Sequence, residues 1–271
     1  MKILFEILSF PFLVRSLVVG ILVSICASLL GSSLVLKRYS MIGTGLSHVG
    51  FAMLAIAYPF GFSPLYVSVP ACIIAAFFLL QIKDNSRIKG DAATALLCSG
   101  SLAIGVMTIS LTTGMNVDVC NYMFGSILAM SKTDVYISVI LSICVYILFI
   151  FFYNRIFAVT FDEKFSIATG TNAKLYNMII AILTAVTVTL GMRMMGTLLI
   201  SSLIAFPSLT AMRVCNNFLS TVIVSVILSI ISFILGLIIS YLYSVPTGAC
   251  IVIVDLALFI TFFVVAKLIK R

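Results

Sequence analysis

Long apolar segments recur along this chain, and they constrain its fold more than any other feature. Each has the length of about 20 residues that an α-helix needs to cross a hydrocarbon core. The five clearest segments are Leu13–Leu36, Ser63–Ile82, Thr133–Tyr153, Phe218–Tyr241 and Thr247–Ala266. Helices are favoured in lipid because they satisfy their backbone polar groups internally. The chain is therefore predicted to be an all-α polytopic membrane protein.

The composition leaves no room for a separate soluble domain. Hydrophobic residues make up 63% of the 271 residues, charged residues make up 9%, and the mean hydropathy is +1.31. The longest polar stretch, Lys83–Asp91, is far too short to fold by itself. No GxxxxGK[ST] phosphate loop is present. We therefore expect one transmembrane domain over residues 1–271 without enzymatic activity, so that any ATP hydrolysis would need another polypeptide.

The apolar segments and the basic residues together predict a topology. Nine transmembrane helices are expected at about 13–36, 41–58, 63–82, 92–112, 133–153, 174–191, 194–212, 218–241 and 247–268. Lys and Arg collect in cytoplasmic connections, and this bias sets the orientation of a bundle. Most of the 16 Lys and Arg residues share one side if the C-terminus is cytoplasmic and the N-terminus external. The net charge of +8 then reflects topology, and no nucleic-acid partner is expected.

The one histidine of the chain, His48, lies in the uncharged segment Met41–Phe60. An ionisable group at membrane depth is costly to bury, so such groups usually face a partner, a cavity or a pathway. Imidazole is also a common metal ligand. Thr44 lies one helical turn before Ser47 and His48, so the three side chains share a helix face. They could make a transient metal contact, but not a tight four-ligand zinc site. The alternative for His48 is an interhelical hydrogen bond.

A carboxylate in the last apolar segment, Asp255, is an additional candidate for the pathway. It lies about nine residues into that segment and so near the middle of the bilayer. The alternative is that Asp255 accepts hydrogen bonds from hydroxyl groups of neighbouring helices. With His48 it would also form the relay of a proton-coupled secondary metal transporter, which is the alternative function.

The longest predicted cytoplasmic connection, Val159–Lys174, reads VTFDEKFSIATGTNAK and predicts a short amphipathic helix. Asp162 and Glu163 favour its N-terminal end, Phe165 belongs to its apolar side, and Gly170 can stop it. Two interpretations stay open on these residues alone. The helix is either a solvated connector or an element that inserts into a groove of a partner.

Five segments of the sequence, taken together, resemble a known family. They are KRYSMIGTGLSHVGFAMLAIA, NYMFGSILAMSKTDV, FDEKFSIATGTNAK, MMGTLLISSLIAFPSLTAMRV and VPTGACIVI. In this order they look like the permease subunits of bacterial ABC importers for zinc, manganese or iron, which are distantly similar to vitamin B12 and siderophore permeases. The resemblance extends from about Pro11 to the C-terminus.

The resemblance implies an assembly in the bacterial cytoplasmic membrane. The permease would form a homodimer with the pathway between its two copies. Two separate ATP-binding cassette subunits would dock on the cytoplasmic side, and an extracytoplasmic metal-binding protein would dock outside. No permanently bound cofactor is implied. The transported substrate would be a divalent metal ion, with zinc expected first and manganese or iron as alternatives.

The resemblance also assigns roles to particular residues. A coupling helix at about 161–171, seated on the ATPase, is implied by the match to D-E-x-F-x-x-A-x-G at Asp162, Glu163, Phe165, Ala168 and Gly170. In the second span, family members commonly carry an aspartate where this chain has Thr44. The missing carboxylate removes a negative charge one turn before His48, which is expected to alter metal selectivity, to be compensated elsewhere, or to impair transport.

Overall fold

The structure is a computed structural model of the chain, and it describes residues 11–57, 59–62, 64–85, 90–112 and 132–269. Within these ranges every helix and strand assignment is helical. The helices are α1 Pro11–Leu36, α2 Ile42–Ala57, α3 Pro64–Asn85, α4 Gly90–Leu111, α5 Lys132–Phe151, α6 Tyr153–Phe161, α7 Glu163–Ala168, α8 Ala173–Met195, α9 Thr197–Val214, α10 Phe218–Tyr243 and α11 Thr247–Ile269.

The predicted apolar segments all correspond to helices. Each of the nine overlaps one long helix, whereas α6 and α7 lie between the fifth and the sixth predicted segment. Six helices are long and apolar enough to cross a membrane, or seven if α5 and α6 form one broken span with a bend of 68°. The apolar helices Ile42–Ala57 and Leu65–Leu79 are shorter. The all-helical polytopic fold is confirmed for the described ranges, and the count of nine spans stays a prediction.

The central helix of the bundle is α1, against which α5, α6, α8, α9 and α10 all pack. Small residues allow this close packing. A Cβ added to Gly20 would lie 2.0 Å from Phe233 Cζ in α10. A Cβ added to Gly31 would lie 2.1 Å from the backbone oxygen of Ile204 in α9. Close van der Waals contact is what holds helices together in lipid, so larger side chains at either glycine would push α9 or α10 away from α1.

Two helices, α4 and α11, expose most of their apolar surface. In the apolar stretch of each helix, only 17% of the residues are buried inside the bundle. Helix α4 packs mainly against α2, and α11 packs mainly against α9 and α10. Exposed side chains include Leu96 and Met107 on α4 and Ile253 and Ile260 on α11. An apolar surface of this extent needs lipid or another subunit to cover it.

Candidate functional site

Helix α2, which carries the predicted pathway residues, is held tightly by three neighbours. A Cβ added to Gly43, Gly45 or Gly50 would lie 2.9, 2.8 or 2.8 Å from side chains of α9, α4 or α8, respectively. Contacts below 3 Å would force the neighbouring side chains Ile204, Thr94 and Met192 to shift, so α2 packs closely against all three helices. Helix α2 is therefore a rigid support for the side chains on its remaining face.

Thr44 and His48 lie on a part of α2 that these contacts leave partly open. Both are half-buried, and they are one helical turn apart. His48 Nδ1 is itself buried and has no hydrogen-bond partner within the described part of the chain. Buried polar atoms nearly always have a partner, and an exception calls for water, an ion or a functional role. The His48 imidazole therefore has a nitrogen available for a ligand.

Ser47 has a different environment from the other two predicted residues. It is completely buried, and its Oγ donates a hydrogen bond of 2.8 Å to the backbone oxygen of Thr44. Serine commonly bonds back to the preceding turn of its own helix in this way. The hydroxyl proton of Ser47 thus serves the helix backbone, and only the oxygen lone pairs are left for another contact.

Asp255 lies away from this face, in the middle of α11. Its carboxylate is 3% exposed and accepts a hydrogen bond of 3.0 Å from Ser202 Oγ of α9. Ser232 of α10 lies near the same carboxylate, while its Oγ donates to the backbone oxygen of Ser229 at 3.1 Å. These contacts match the alternative interpretation, in which Asp255 accepts hydrogen bonds from the hydroxyl groups of neighbouring helices. The structure does not pair Asp255 with His48 Nδ1.

Further serines link α1, α9 and α10 in the interior of the bundle. Ser208 Oγ lies 3.4 Å from Ser32 Oγ and 3.2 Å from Ser225 Oγ. Ser229 Oγ donates to the backbone oxygen of Ser24 at 3.0 Å. Hydroxyl groups at helix contacts in lipid both bond across the interface and let the backbones approach closely. The sequence does not reveal this network because the serines are separated by up to about 200 positions and follow no local motif.

The short helix α7 lies within the predicted range 161–171 and has a well-defined cap at each end. Asp162 Oδ1 accepts a hydrogen bond of 2.9 Å from the backbone N–H of Phe165, as an N-cap side chain does. At the other end, the Thr171 N–H bonds to the Ser166 oxygen at 2.9 Å. Gly170 then adopts the left-handed conformation, with φ of +82°. This pattern is a Schellman C-cap, and it explains why the helix stops at a glycine.

The two sides of α7 differ in what they contact. Phe165 and Ile167 are 65% and 58% exposed, and Ala168 is exposed as well. Such exposed apolar side chains on a short helix outside the long apolar helices are unusual without a partner to cover them. Glu163 is instead half-buried, and its Oε1 accepts a hydrogen bond of 2.8 Å from Asn177 Nδ2 of α8. Among the residues that match the family pattern, Phe165 and Ala168 are therefore exposed, whereas Glu163 faces α8. Together with Ile167, Phe165 and Ala168 form the outward-facing group of α7.

Two residues at the contact between α7 and α8, Lys37 and Asn177, were not predicted from the sequence as contacts of this helix. Lys37, which follows α1, donates from Nζ to Asn177 Oδ1, so the Asn177 amide joins it to Glu163. A polar residue near the N-terminal end of an apolar segment was the available signal for Asn177. Such residues are common at helix ends, so the signal alone does not identify a partner.

Across the described ranges, no group of three or more His, Cys, Asp or Glu side chains is positioned to hold a metal ion. The available arrangement on α2 is a single imidazole with one hydroxyl group one turn before it. Such a pair can contact a passing ion, but it lacks the four ligands of a structural zinc site.

Comparison with known proteins identifies relatives over the whole length of the chain. The sequence profile of the ABC 3 transport family matches residues 9–266. The high-affinity zinc uptake system membrane protein ZnuB of Haemophilus influenzae is 32% identical over 257 residues, which cover 95% of this chain and 97% of that protein. The manganese transport system membrane protein MntC of Halalkalibacterium halodurans is 28% identical over 254 residues, which cover 94% of this chain and 87% of that protein.

A solved structure agrees with these matches. A chain of PsaBC from Streptococcus pneumoniae, determined in complex with a Fab, superimposes with a TM-score of 0.86 and 27% sequence identity. The alignment covers 97% of this chain and 94% of that chain. The family predicted from the sequence segments is thereby confirmed. The chain belongs to the ABC 3 transport family and is a multi-pass membrane permease subunit of a bacterial ABC importer, whose ATP hydrolysis lies in separate subunits.

Proposed function

We propose that this permease carries divalent metal ions into the cell, with zinc as the first expected substrate and manganese or iron as alternatives. The family match over residues 9–266 supports import, and relatives named for zinc and for manganese transport support a metal substrate. The observation that carries the proposal within this chain is the buried His48 Nδ1, which has no hydrogen-bond partner among the described residues. Imidazole binds zinc and other transition metals well, whereas hydroxyl oxygen suits harder ions.

The pathway contact is proposed at His48 and Thr44, with Ser47 supporting the helix between them. One imidazole and one hydroxyl group bind a divalent ion weakly. Weak binding suits a permease, because an ion that is held tightly would not be released on the other side. Asp255, held by the Ser202 hydroxyl group of α9, supports the packing of α11 and is not needed for this contact.

The complete transporter is proposed to contain two copies of this chain. The exposed apolar surfaces of α4 and α11 are available for contact with a second copy and with lipid. Two ATP-binding cassette subunits would bind at the cytoplasmic side and an extracytoplasmic metal-binding protein at the outer side. Nine spans over one domain of residues 1–271, an external N-terminus and a cytoplasmic C-terminus complete the proposed topology. The distribution of Lys and Arg supports this orientation.

The coupling helix is proposed to be α7. Its outward-facing group, Phe165, Ile167 and Ala168, provides the apolar surface that would insert into a groove of the ATPase. Asp162 and Gly170 hold the two ends of the helix and so keep this surface in one conformation. A proton-coupled secondary transporter, the alternative function, needs neither this surface nor an ATPase. It also needs Asp255 to act with His48, and the contacts of Asp255 lie elsewhere.

Metal-resolved uptake tests the proposal. The chain is produced with its ATPase and binding protein in cells that lack their own zinc, manganese and iron importers, and accumulation of each metal is measured. We expect ATP-dependent uptake of one of these metals above the level of cells with a hydrolysis-deficient ATPase. Uptake that persists with that ATPase and collapses with the proton gradient would instead establish the secondary transporter.

A further inference from the structure

Two hydrogen bonds in series join the cytoplasmic helix α7 to the end of α1. Asn177 Nδ2 of α8 donates to Glu163 Oε1 of α7 at 2.8 Å. At the other atom of the same amide, Asn177 Oδ1 accepts a hydrogen bond from Lys37 Nζ. An acidic side chain, an amide and a basic side chain from three separate parts of the chain are therefore joined in series.

The amide makes this arrangement specific. An asparagine side chain donates only through its nitrogen and accepts only through its oxygen. The Glu163 carboxylate only accepts and the Lys37 ammonium only donates, so both bonds form in one orientation of the amide. Hydrogen bonds to charged groups are stronger than those between neutral groups. All three side chains are half-buried, which reduces the screening of their charges by water and salt.

Asn177 also touches the segment that leads into the pathway helix. It lines a small cleft together with Lys37, Tyr39 and Ile42. Lys37 and Tyr39 belong to the connection between α1 and α2, and Ile42 is the first residue of α2. His48 lies about two helical turns further along α2. The two hydrogen bonds therefore connect α7 to the base of the helix that carries the proposed metal contact.

The remaining contacts of this region hold α7 against the bundle without using its apolar side. Arg155 Nη1 donates to Thr171 Oγ1 at 3.1 Å and so ties α6 to the loop behind α7. Phe165 and Ile167 stay exposed, whereas Glu163 is directed at α8. One side of α7 is thus bound to the membrane helices, and another is free for a partner.

We propose that Glu163, Asn177 and Lys37 form a coupling relay, which transmits a displacement of α7 to the start of α2. This inference rests on the proposed function, since it takes α7 as the element that contacts the ATPase. Movement of α7 stretches two charge-assisted hydrogen bonds, and the stretch is relieved when the connection before α2 follows. The exposed apolar side chains bind the ATPase, and Glu163 is a positioning residue that transmits its motion. Packed helices respond to such a pull as rigid bodies.

The polarity of the relay provides a sharp test. In Glu163→Lys alone, two ammonium groups compete for the single oxygen of the Asn177 amide. In the double variant Lys37→Glu with Glu163→Lys, a carboxylate and an ammonium are again present, at exchanged ends. The amide can then turn over and make both hydrogen bonds once more. A structural role of either charge by itself does not predict this rescue.

The experiment measures two quantities on the full transporter: recovery of the ATPase with the purified permease, and ATP-dependent metal uptake. We expect Asn177→Leu to keep ATPase recovery at the wild-type level, and both Asn177→Leu and Glu163→Lys to lower uptake by about fivefold or more. The double exchange is expected to restore uptake. Lys174→Glu, which makes the same change of charge at an exposed position of α8, serves as the matched control and is expected to behave as wild type.

The outcomes separate the relay from the function on which it rests. Wild-type uptake in both Glu163→Lys and Asn177→Leu would overturn the relay, and so would reduced uptake that the double exchange fails to restore. Loss of ATPase recovery in Asn177→Leu would also overturn it, because Asn177 would then serve assembly. If a single variant does not reach the membrane, metal uptake is measured for the double exchange and for the conservative Asn177→Gln. Uptake by both at the wild-type level supports the relay, and reduced uptake by the double exchange overturns it. Failure of the wild-type chain to import any metal would instead contradict the proposed function itself.

Discussion

Ser202 of α9 donates a hydrogen bond of 3.0 Å to the carboxylate of Asp255 in α11. The pair lies in the interior, where Asp255 is 3% exposed and Ser202 is 5% exposed. A buried acceptor that lost its donor would cost free energy, so this contact holds α11 on the bundle. Asp255 is the one carboxylate of α11, and its contact with Ser202 has consequences that mutagenesis can test.

Replacement of Asp255 is expected to affect stability more than transport. Asp255→Asn keeps an acceptor oxygen for Ser202, so uptake should stay near the wild-type level. Asp255→Leu leaves the buried Ser202 hydroxyl group without its acceptor and should lower the free energy of unfolding by about 1–3 kcal/mol. Thermal unfolding of the purified permease and metal uptake check both variants. Abolished uptake in Asp255→Asn at unchanged stability would instead place Asp255 in the pathway.

Replacement of His48 is expected to affect transport more than stability. His48→Ala removes the proposed imidazole contact and should abolish metal-dependent growth, while membrane insertion is retained. Ser47→Ala is the matched control on the same helix, because the Ser47 hydroxyl already bonds to the Thr44 backbone. It is expected to retain most of its uptake. Growth under metal limitation and the amount of permease in the membrane are measured together, and full growth of His48→Ala would exclude His48 from the pathway.

A carboxylate at position 44 is expected to change the metal preference. Thr44 is half-buried one turn before His48, where side chains four residues apart lie about 5–6 Å from one another. Thr44→Asp therefore places an anionic oxygen ligand beside the imidazole, which should favour manganese or iron relative to zinc. Thr44→Asn has nearly the same size without the charge and serves as the control. Competition uptake with mixed metals measures the ratio; an unchanged ratio in Thr44→Asp would show that position 44 does not select the metal.

The exposed apolar side of α7 is expected to decide ATPase recovery. Phe165→Ser and Ile167→Ser remove apolar surface that would be buried against the partner, and each should reduce co-purification of the ATPase by about tenfold or more. Lys164→Ser changes an exposed polar side chain of the same helix and should have little effect. Permease yield serves as the folding control. Equal ATPase recovery from all three variants would show that α7 does not form the docking surface.

The left-handed conformation of Gly170 makes its substitution informative. A Cβ at this position meets no atom within 4 Å, so any cost comes from the φ of +82° and amounts to about 1–2 kcal/mol. Gly170→Ala should therefore disturb the end of α7 and lower ATPase recovery, whereas Gly170→Asn should be tolerated better. Gly61, with φ of +67° and equally open surroundings, provides the control. Gly61→Ala is expected to cost similar stability without loss of ATPase recovery.

Helix positions were predictable from sequence because they depend on local properties. Each apolar segment satisfies its own backbone within a lipid-length stretch, so hydropathy alone locates it. The bounds of α7 follow equally from local chemistry, since Asp162 caps its start and Gly170 ends it. The bend of 68° between α5 and α6 was not predictable in this way. The sequence around Phe152 contains no proline or glycine to signal it, so the bend follows from packing against α1 and α8.

The same distinction between local patterns and long-range contacts applies to the candidate site. The family could be recognised from five collinear segments, and the face shared by Thr44 and His48 and the helix that carries Phe165 from patterns within a few turns of one segment. The bond between Asp255 and Ser202, and the connection of Glu163 through Asn177 to Lys37, became visible only in the folded chain. The latter three residues lie 14 and 140 positions apart along these two hydrogen bonds. Such partners are chosen by helix packing, in which small residues set how closely α1, α8 and α9 approach, and no local pattern records that choice.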